Sequence, residues 1–70
     1  MSRELAQLCT ELVRKGNDFP TVWATMLKSH PLVNGIPKSK LESKRPVLEI
    51  HLITGEILVF DSDGKKFRLR

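Results

Sequence analysis

The sequence lacks a second cysteine, a long apolar run and an amino-terminal signal, and each absence excludes a class of protein. Cys9 cannot form an internal disulfide bond, and no cysteine and histidine residues have the spacing of a zinc site. No apolar run approaches the ~18 residues that a membrane span requires. The first residues lack the basic and apolar regions of a signal peptide. We therefore expect a cytoplasmic protein that needs no metal or cofactor and does not bind membranes.

The length and composition are those of one small folded domain, residues 1–70, with 40% hydrophobic and 29% charged residues. A chain this short buries a modest share of its unfolded surface, so its stability margin is thin. Small domains usually gain support from disulfide bonds, a metal or a partner subunit. Because the first two are missing, a homodimer is a reasonable hypothesis.

Two amphipathic helices are predicted in the first 30 residues. The first spans about 3–15, and Gly16 follows it where a left-handed residue favours the end of a helix. The second spans about 20–29, since Pro20 suits a first helical turn and Pro31 disfavours helical backbone just before it. The first helix has an apolar face of Leu5, Leu8, Cys9, Leu12 and Val13.

The short turn between these helices resembles that of a helix-turn-helix DNA-binding motif in the separation of Gly16 from Val22. Leu12, Asn17 and Thr25 depart from the residue types of that motif. The exposed positions of the second helix also include a single cation. An ordinary helical hairpin or corner is therefore predicted.

Three antiparallel strands are predicted at about 47–53, 56–61 and 66–69, with glycine-containing turns between them. The turns set a register that pairs Leu48 with Phe60, Ile50 with Leu58, Phe60 with Phe67, and Leu58 with Leu69. One face is then wholly apolar: Leu48, Ile50, Leu52, Leu58, Phe60, Phe67 and Leu69. The predicted class is α+β, an ααβββ fold in which two N-terminal helices pack on one face of a three-stranded antiparallel meander.

The opposite face of the predicted sheet is only partly polar, which is unusual for a face that no remaining segment can cover. A non-enzymatic protein-interaction or self-association module is predicted from this face, with a protein or a second copy as its partner. An ion pair is also expected between Asp61 and Lys66, which lie opposite each other. The candidate interaction residues are Val47, His51, Ile57, Val59, Arg68 and Arg70.

Two basic clusters indicate an alternative function, weak and sequence-nonspecific binding of nucleic acid. Residues 31–46 are predicted to form a basic loop, ordered at first and mobile from Lys38 onward. If this loop lies beside the last strand, the clusters form one positive band that can contact phosphates. Aromatic rings for base stacking are missing from the outer face, which favours the protein-interaction hypothesis. The candidate phosphate contacts are Lys38, Lys40, Lys44, Arg45, Lys65 and Lys66.

No arrangement of residues in the sequence indicates catalysis. Cys9 lies on the apolar face of the first helix, which predicts a buried thiol rather than a nucleophile. His30 and His51 belong to different elements, and surface positions are expected for both. No two carboxylates are paired for acid–base chemistry. We therefore predict that the protein is not an enzyme and has no catalytic residues.

Overall fold

The computed structural model describes residues 2–70, and it begins with helix α1, Ser2–Arg14. The N–H groups of Gly16 and Asn17 donate to the carbonyl oxygens of Val13 and Leu12 at 3.0 and 3.1 Å. This pair of hydrogen bonds is a Schellman motif, and it requires the left-handed conformation that Gly16 adopts with φ of 104°. The end of the first helix is therefore as the glycine predicted.

The second helical segment is shorter than predicted and changes its hydrogen-bond pattern. Helix α2, Phe19–Val22, begins after Asp18, whose side chain accepts the Thr21 N–H at 3.0 Å. It continues as a π-helical segment, Trp23–Leu27, in which the Lys28 N–H donates to the Trp23 carbonyl oxygen at 2.7 Å.

The sheet has four antiparallel strands in the order β1-β2-β3-β4. Their bounds are β1 Lys38–Glu42, β2 Arg45–His51, β3 Ile57–Asp61 and β4 Lys66–Leu69. The α+β class and the antiparallel sheet are confirmed. The predicted register is confirmed as well, since Leu48 pairs with Phe60, Ile50 with Leu58, Phe60 with Phe67, and Leu58 with Leu69.

The prediction of three strands and a mobile basic segment requires correction, because residues 38–42 form strand β1. This strand pairs with β2 through a two-residue turn, Ser43-Lys44, with φ angles of 51° and 66°. Such a turn requires left-handed backbone at both positions, for which Asn-Gly is the usual sequence signal. Ser43 and Lys44 carry no such signal, so the hairpin is not evident from the sequence.

Pro46 marked the predicted end of the loop, yet it lies inside β2 without disturbing the sheet. It pairs with Leu41 of β1, next to the Glu42–Arg45 pair that closes the turn. The nitrogen of Pro46 therefore points away from β1, toward the β3 side. There it lies one position beyond Asp61, the last residue of β3. The missing N–H thus removes no hydrogen bond from either strand pair.

The turn between β3 and β4 keeps the predicted register but has a different conformation. Residues 62–65 form a four-residue loop in place of the predicted two-residue Asp63-Gly64 turn, and Lys65 has φ of 50°. Asp61 Oδ1 accepts the N–H groups of Asp63 and Gly64 at 3.0 and 3.3 Å. Instead of the predicted Lys66, the ion-pair partner of Asp61 is Arg45, at 3.5 Å.

The main core lies between the helices and one face of the sheet, which we call the inner face. Helix α1 packs against β4, and the predicted apolar face of the sheet belongs to the core. Phe60 contacts two other rings, with centroids 5.2 Å from Phe19 and 4.8 Å from Phe67. Residues 31–34 run beside the end of β2, where Val33 bridges to Leu52. The early part of the predicted loop is therefore ordered.

Candidate interaction surfaces

The outer face of the sheet, opposite the helices, contains two valines that are almost completely buried. Val47 is 4% exposed and Val59 is 0% exposed, although neither belongs to the core cluster beneath the helices. The register places Val59 directly between Glu49 of β2 and Arg68 of β4. Charged side chains on the neighbouring strands are therefore positioned to cover it.

Four of these charged side chains form a network that we call the clasp: Glu42, Glu49, Arg68 and Arg70. Glu42 of β1 pairs with Arg68 of β4 and with Arg70, the residue after β4, and Arg70 also pairs with Glu49 of β2. Strands β1 and β4 are the two edges of the sheet, so they can meet only if the sheet curls strongly around its outer face. The clasp holds this curl and shields the valines from water.

The residues predicted as an interaction surface do lie on one face, but they do not form an exposed apolar patch. His51 and Ile57 are half-buried, and His51 Nε2 lies 3.7 Å from Glu49 Oε1. Arg68 and Arg70 belong to the clasp. With both valines covered, the face presents mainly paired charges in this conformation. Glu42 is not among the predicted interaction residues, because the sequence predicts a mobile loop at its position.

The two basic clusters predicted as phosphate contacts lie in different parts of the sheet. Lys38, Lys40 and Lys44 are exposed on the β1–β2 hairpin, while Lys65 and Lys66 are exposed where the β3–β4 turn meets β4. The β1 strand lies beside β2 rather than beside the last strand. The clasp carboxylate of Glu42 also reaches across to β4, and Arg45 pairs with Asp61. The predicted positive band is therefore interrupted by carboxylates.

A groove of about 700 Å³ runs between α1 and β4 and brings arginines together that are far apart in the sequence. Arg3 and Arg14 line it from the helix, and Arg68 and Arg70 line it from the strand. Glu11 is among the lining residues as well. The helix arginines are eleven positions apart, about three turns, so they lie on the same side of α1. Sequence patterns alone could not reveal the groove, since it depends on which strand α1 packs against.

The β4 edge of the sheet is covered by α1, and a hydroxyl group of this helix bonds the outward backbone groups of Phe67. The Phe67 N–H donates to Thr10 Oγ1 at 3.0 Å. The Thr10 hydroxyl lies within donating distance of two carbonyl oxygens, 2.9 Å from that of Ala6 and 3.3 Å from that of Phe67. Reciprocal bonds between Ile57 and Arg70 show that the backbone groups of Phe67 point outward. Thr10 therefore satisfies groups that would otherwise offer a pairing site.

The β1 edge, in contrast, is open. Because the Glu42–Arg45 pair closes a two-residue turn, the backbone groups of Ser39 and Leu41 point away from β2 into solvent. Residues 38–41 are all exposed. Leu41 is 78% exposed, and Ile36, just before the strand, is 73% exposed. This edge thus combines free hydrogen-bonding groups with the two most exposed large apolar side chains among residues 2–70.

Two of the residues considered for chemistry, Cys9 and His30, make contacts within the fold. Cys9 is buried, as predicted, and burial raises the pKa of its thiol to about 11. His30 Nδ1 accepts the Leu32 N–H at 3.1 Å and so helps to end the helical region. Within residues 2–70, no three histidine, cysteine, aspartate or glutamate side chains are grouped to hold a metal ion. No helix in the same range is long and apolar enough to cross a membrane.

Comparisons with protein-family models, with curated proteins and with solved structures gave no match for this chain.

Proposed function

We propose that this chain is a small non-enzymatic protein-interaction module that self-associates through the open β1 edge of its sheet. The observation that supports this proposal is the difference between the two edges. Helix α1 covers the β4 edge and bonds it through Thr10, whereas Ser39 and Leu41 present free backbone groups on β1. Open edges of this kind are used for strand addition, in which a partner strand extends the sheet. A cytoplasmic location belongs to the same proposal.

The side chains around β1 also suit strand addition. Leu41 points to the inner side of the sheet, where a shallow groove of about 200 Å³ is lined by Ser39, Pro46, Leu48 and Phe60. Helix α1 packs on β4, at the opposite edge of the sheet from β1. An apolar side chain of an added strand can therefore bury surface here while the backbones pair.

Charged residues limit which strands can pair with β1. Lys38 and Lys40 point to the outer side and repel other basic strands. Pro37, just before the strand, offers no N–H. The edge is therefore selective, since acidic residues opposite the lysines favour pairing and basic ones disfavour it.

The decisive variant is Ser39→Pro, because the Ser39 N–H points away from β2. A proline there removes an outward donor but none of the hydrogen bonds of the β1–β2 pair. In sedimentation equilibrium, we expect the wild-type chain to self-associate with concentration and the variant to remain monomeric. Ser39→Ala keeps the N–H and should associate like the wild type. A monomeric wild-type chain at millimolar concentration, or an associating Ser39→Pro variant, would contradict the proposal.

Weak nucleic-acid binding is a second candidate, and the groove between α1 and β4 is the observation that favours it. Four arginines line this groove, and Arg3 and Arg14 stand outside the clasp, so they can contact phosphates. Titration with a single-stranded oligonucleotide should then show affinity that falls steeply with salt. Arg3→Gln with Arg14→Gln should reduce the affinity and its salt dependence, whereas Lys28→Gln, away from the groove, should change neither. If adding the oligonucleotide at low salt leaves the NMR chemical shifts of the chain unchanged, this candidate is excluded.

A further inference from the structure

We infer that the strand that pairs with β1 is β1 of a second copy, in an antiparallel register centred on Lys40. This inference rests on the proposed function and adds which strand of the second copy pairs with β1 and in which register. It predicts one continuous eight-stranded sheet with a two-fold axis at Lys40. The observations behind it are the directions of the backbone groups and the order of charges along residues 38–42.

Hydrogen bonding favours this register over the other symmetric ones. Ser39 and Leu41 carry the outward backbone groups, and centring on Lys40 pairs each Ser39 with the Leu41 of the other copy. All four outward N–H groups then find carbonyl oxygens. Centring on Ser39 would pair Leu41 with Pro37, which has no N–H. Centring on Leu41 would pair Ser39 with Ser43, whose φ of 51° takes it out of extended conformation.

The charges on β1 agree with the same register. Lys38 of one copy lies opposite Glu42 of the other, whose carboxylate also holds the clasp arginines, and two-fold symmetry repeats this pair of opposite charges. The Leu41 side chains of the two copies become diagonal neighbours on the inner side, about 7–8 Å apart between Cα atoms, within reach of leucine. The interface therefore has two pairs of opposite charges outside and an apolar contact inside.

Lys40 is the one unfavourable residue in the interface, and variants at this position therefore test the register. At the axis, Lys40 of one copy lies opposite Lys40 of the other, and directly opposed like charges destabilise a strand pair. Lys40→Thr should therefore tighten the dimer, lowering its dissociation constant roughly 2- to 5-fold. Lys40→Glu should leave a like-charge pair in its own dimer, but an equimolar mixture with the wild type should form mainly mixed dimers.

Disulfide cross-linking tests the register directly. The two Lys40 residues at the axis form a non-hydrogen-bonded pair. Their Cα atoms are therefore about 4.5 Å apart, within the range of a disulfide bond. Lys40→Cys should thus form a covalent dimer rapidly under mild oxidation. Residue 38 is also exposed and lies on the same strand. In this register it is far from residue 38 of the other copy, so Lys38→Cys should cross-link slowly. Lys66→Cys, near the opposite edge, is the second control, and native Cys9 is buried.

The outcomes separate this inference from the proposed function. If the wild-type chain associates and Ser39→Pro abolishes association, the proposed function stands. If Lys40→Cys then cross-links no faster than Lys38→Cys, the inferred register is wrong. Preferential mixing of wild-type and Lys40→Glu chains supports the inference, and random mixing contradicts it. A wild-type chain that stays monomeric overturns both.

Discussion

Thr10 is the residue through which α1 bonds the covered β4 edge. Its hydroxyl accepts the Phe67 N–H and lies within reach of two carbonyl oxygens in a partly buried position. Thr10→Val keeps the shape but leaves the backbone N–H and carbonyl oxygen of Phe67 without this partner. We expect the free energy of unfolding to fall by about 1–3 kcal/mol in urea denaturation.

Two matched variants control this prediction. Thr10→Ser keeps the hydroxyl and should retain most of the stability. Thr25→Val removes a hydroxyl that donates only to the Thr21 carbonyl oxygen, at an exposed position, so its effect should be much smaller. Equal losses for Thr10→Val and Thr25→Val would show that Thr10 does not hold the edge.

Cys9 should make the fold sensitive to alkaline pH. Its thiol pKa is raised from 9.0 to about 11 because burial disfavours the thiolate. A group whose pKa is higher in the folded state makes its full contribution to stability below its unfolded-state pKa. That contribution is lost as the pH rises through the folded-state pKa. The free energy of unfolding should therefore decline between about pH 9 and 11. Cys9→Ala should be less stable at neutral pH but should lack the alkaline decline attributable to the thiol.

Single residues differ in how far the sequence predicts their roles. Cys9 belongs to the apolar face of a helix, so its burial follows from spacing alone. Thr10 is the next residue, but its partner Phe67 lies 57 positions away. No local pattern links the two, because the contact depends on how α1 is placed beside β4.

At the scale of elements, the β1–β2 hairpin is the feature that local sequence signals failed to reveal. Its turn residues, Ser43 and Lys44, both have left-handed backbone that costs side-chain-bearing residues energy. Ser43→Asn with Lys44→Gly should therefore raise the free energy of unfolding by about 1 kcal/mol. Thermal or urea denaturation measures this change.

A glycine in the strand itself serves as the control for the turn variant. Lys40→Gly lies in extended backbone, where glycine costs about 0.5–1 kcal/mol through its greater freedom in the unfolded chain. The two variants should therefore change stability in opposite directions. A destabilised Asn-Gly variant would indicate that Ser43 or Lys44 makes contacts that its backbone conformation does not explain.

The other strands could be predicted because several signals coincide in them. Alternation of apolar residues and a glycine turn at 53–55 specify the pairing of β2 with β3. The 62–65 loop differs from the expected turn, yet it joins the same residue pairs. A wrong turn conformation therefore leaves the predicted register intact. In contrast, the turn at Ser43-Lys44 is not predicted at all, so strand β1 is not predicted either.

At the scale of the whole molecule, the clasp determines whether the outer face is available. Glu42→Gln removes the charge that holds Arg68 and Arg70 against β1. We expect the free energy of unfolding to fall by about 1 kcal/mol, since these side chains are partly solvated. The amides of Val47 and Val59 should also exchange hydrogen faster. The loss should shrink as salt screens the wild-type ion pairs.

Asp63→Asn is the control for the clasp, because Asp63 is exposed in the 62–65 loop and does not line the groove beside the clasp arginines. It should change neither the stability nor the exchange of the two valine amides. If Glu42→Gln behaves in the same way, another interaction must hold the curl of the sheet. The clasp was not predictable from the sequence, because Glu42 and its arginine partners lie on opposite edges and meet only through that curl.

The asymmetry of the edges has a consequence for the size of any assembly. A sheet with one closed edge can add a strand on one side only, so symmetric pairing uses up the available edge and growth stops at two chains. Helix α1 beside β4, with Thr10 bonded to Phe67, blocks the second edge, so addition cannot repeat along the sheet. The covered edge would then be what separates a finite particle from a filament.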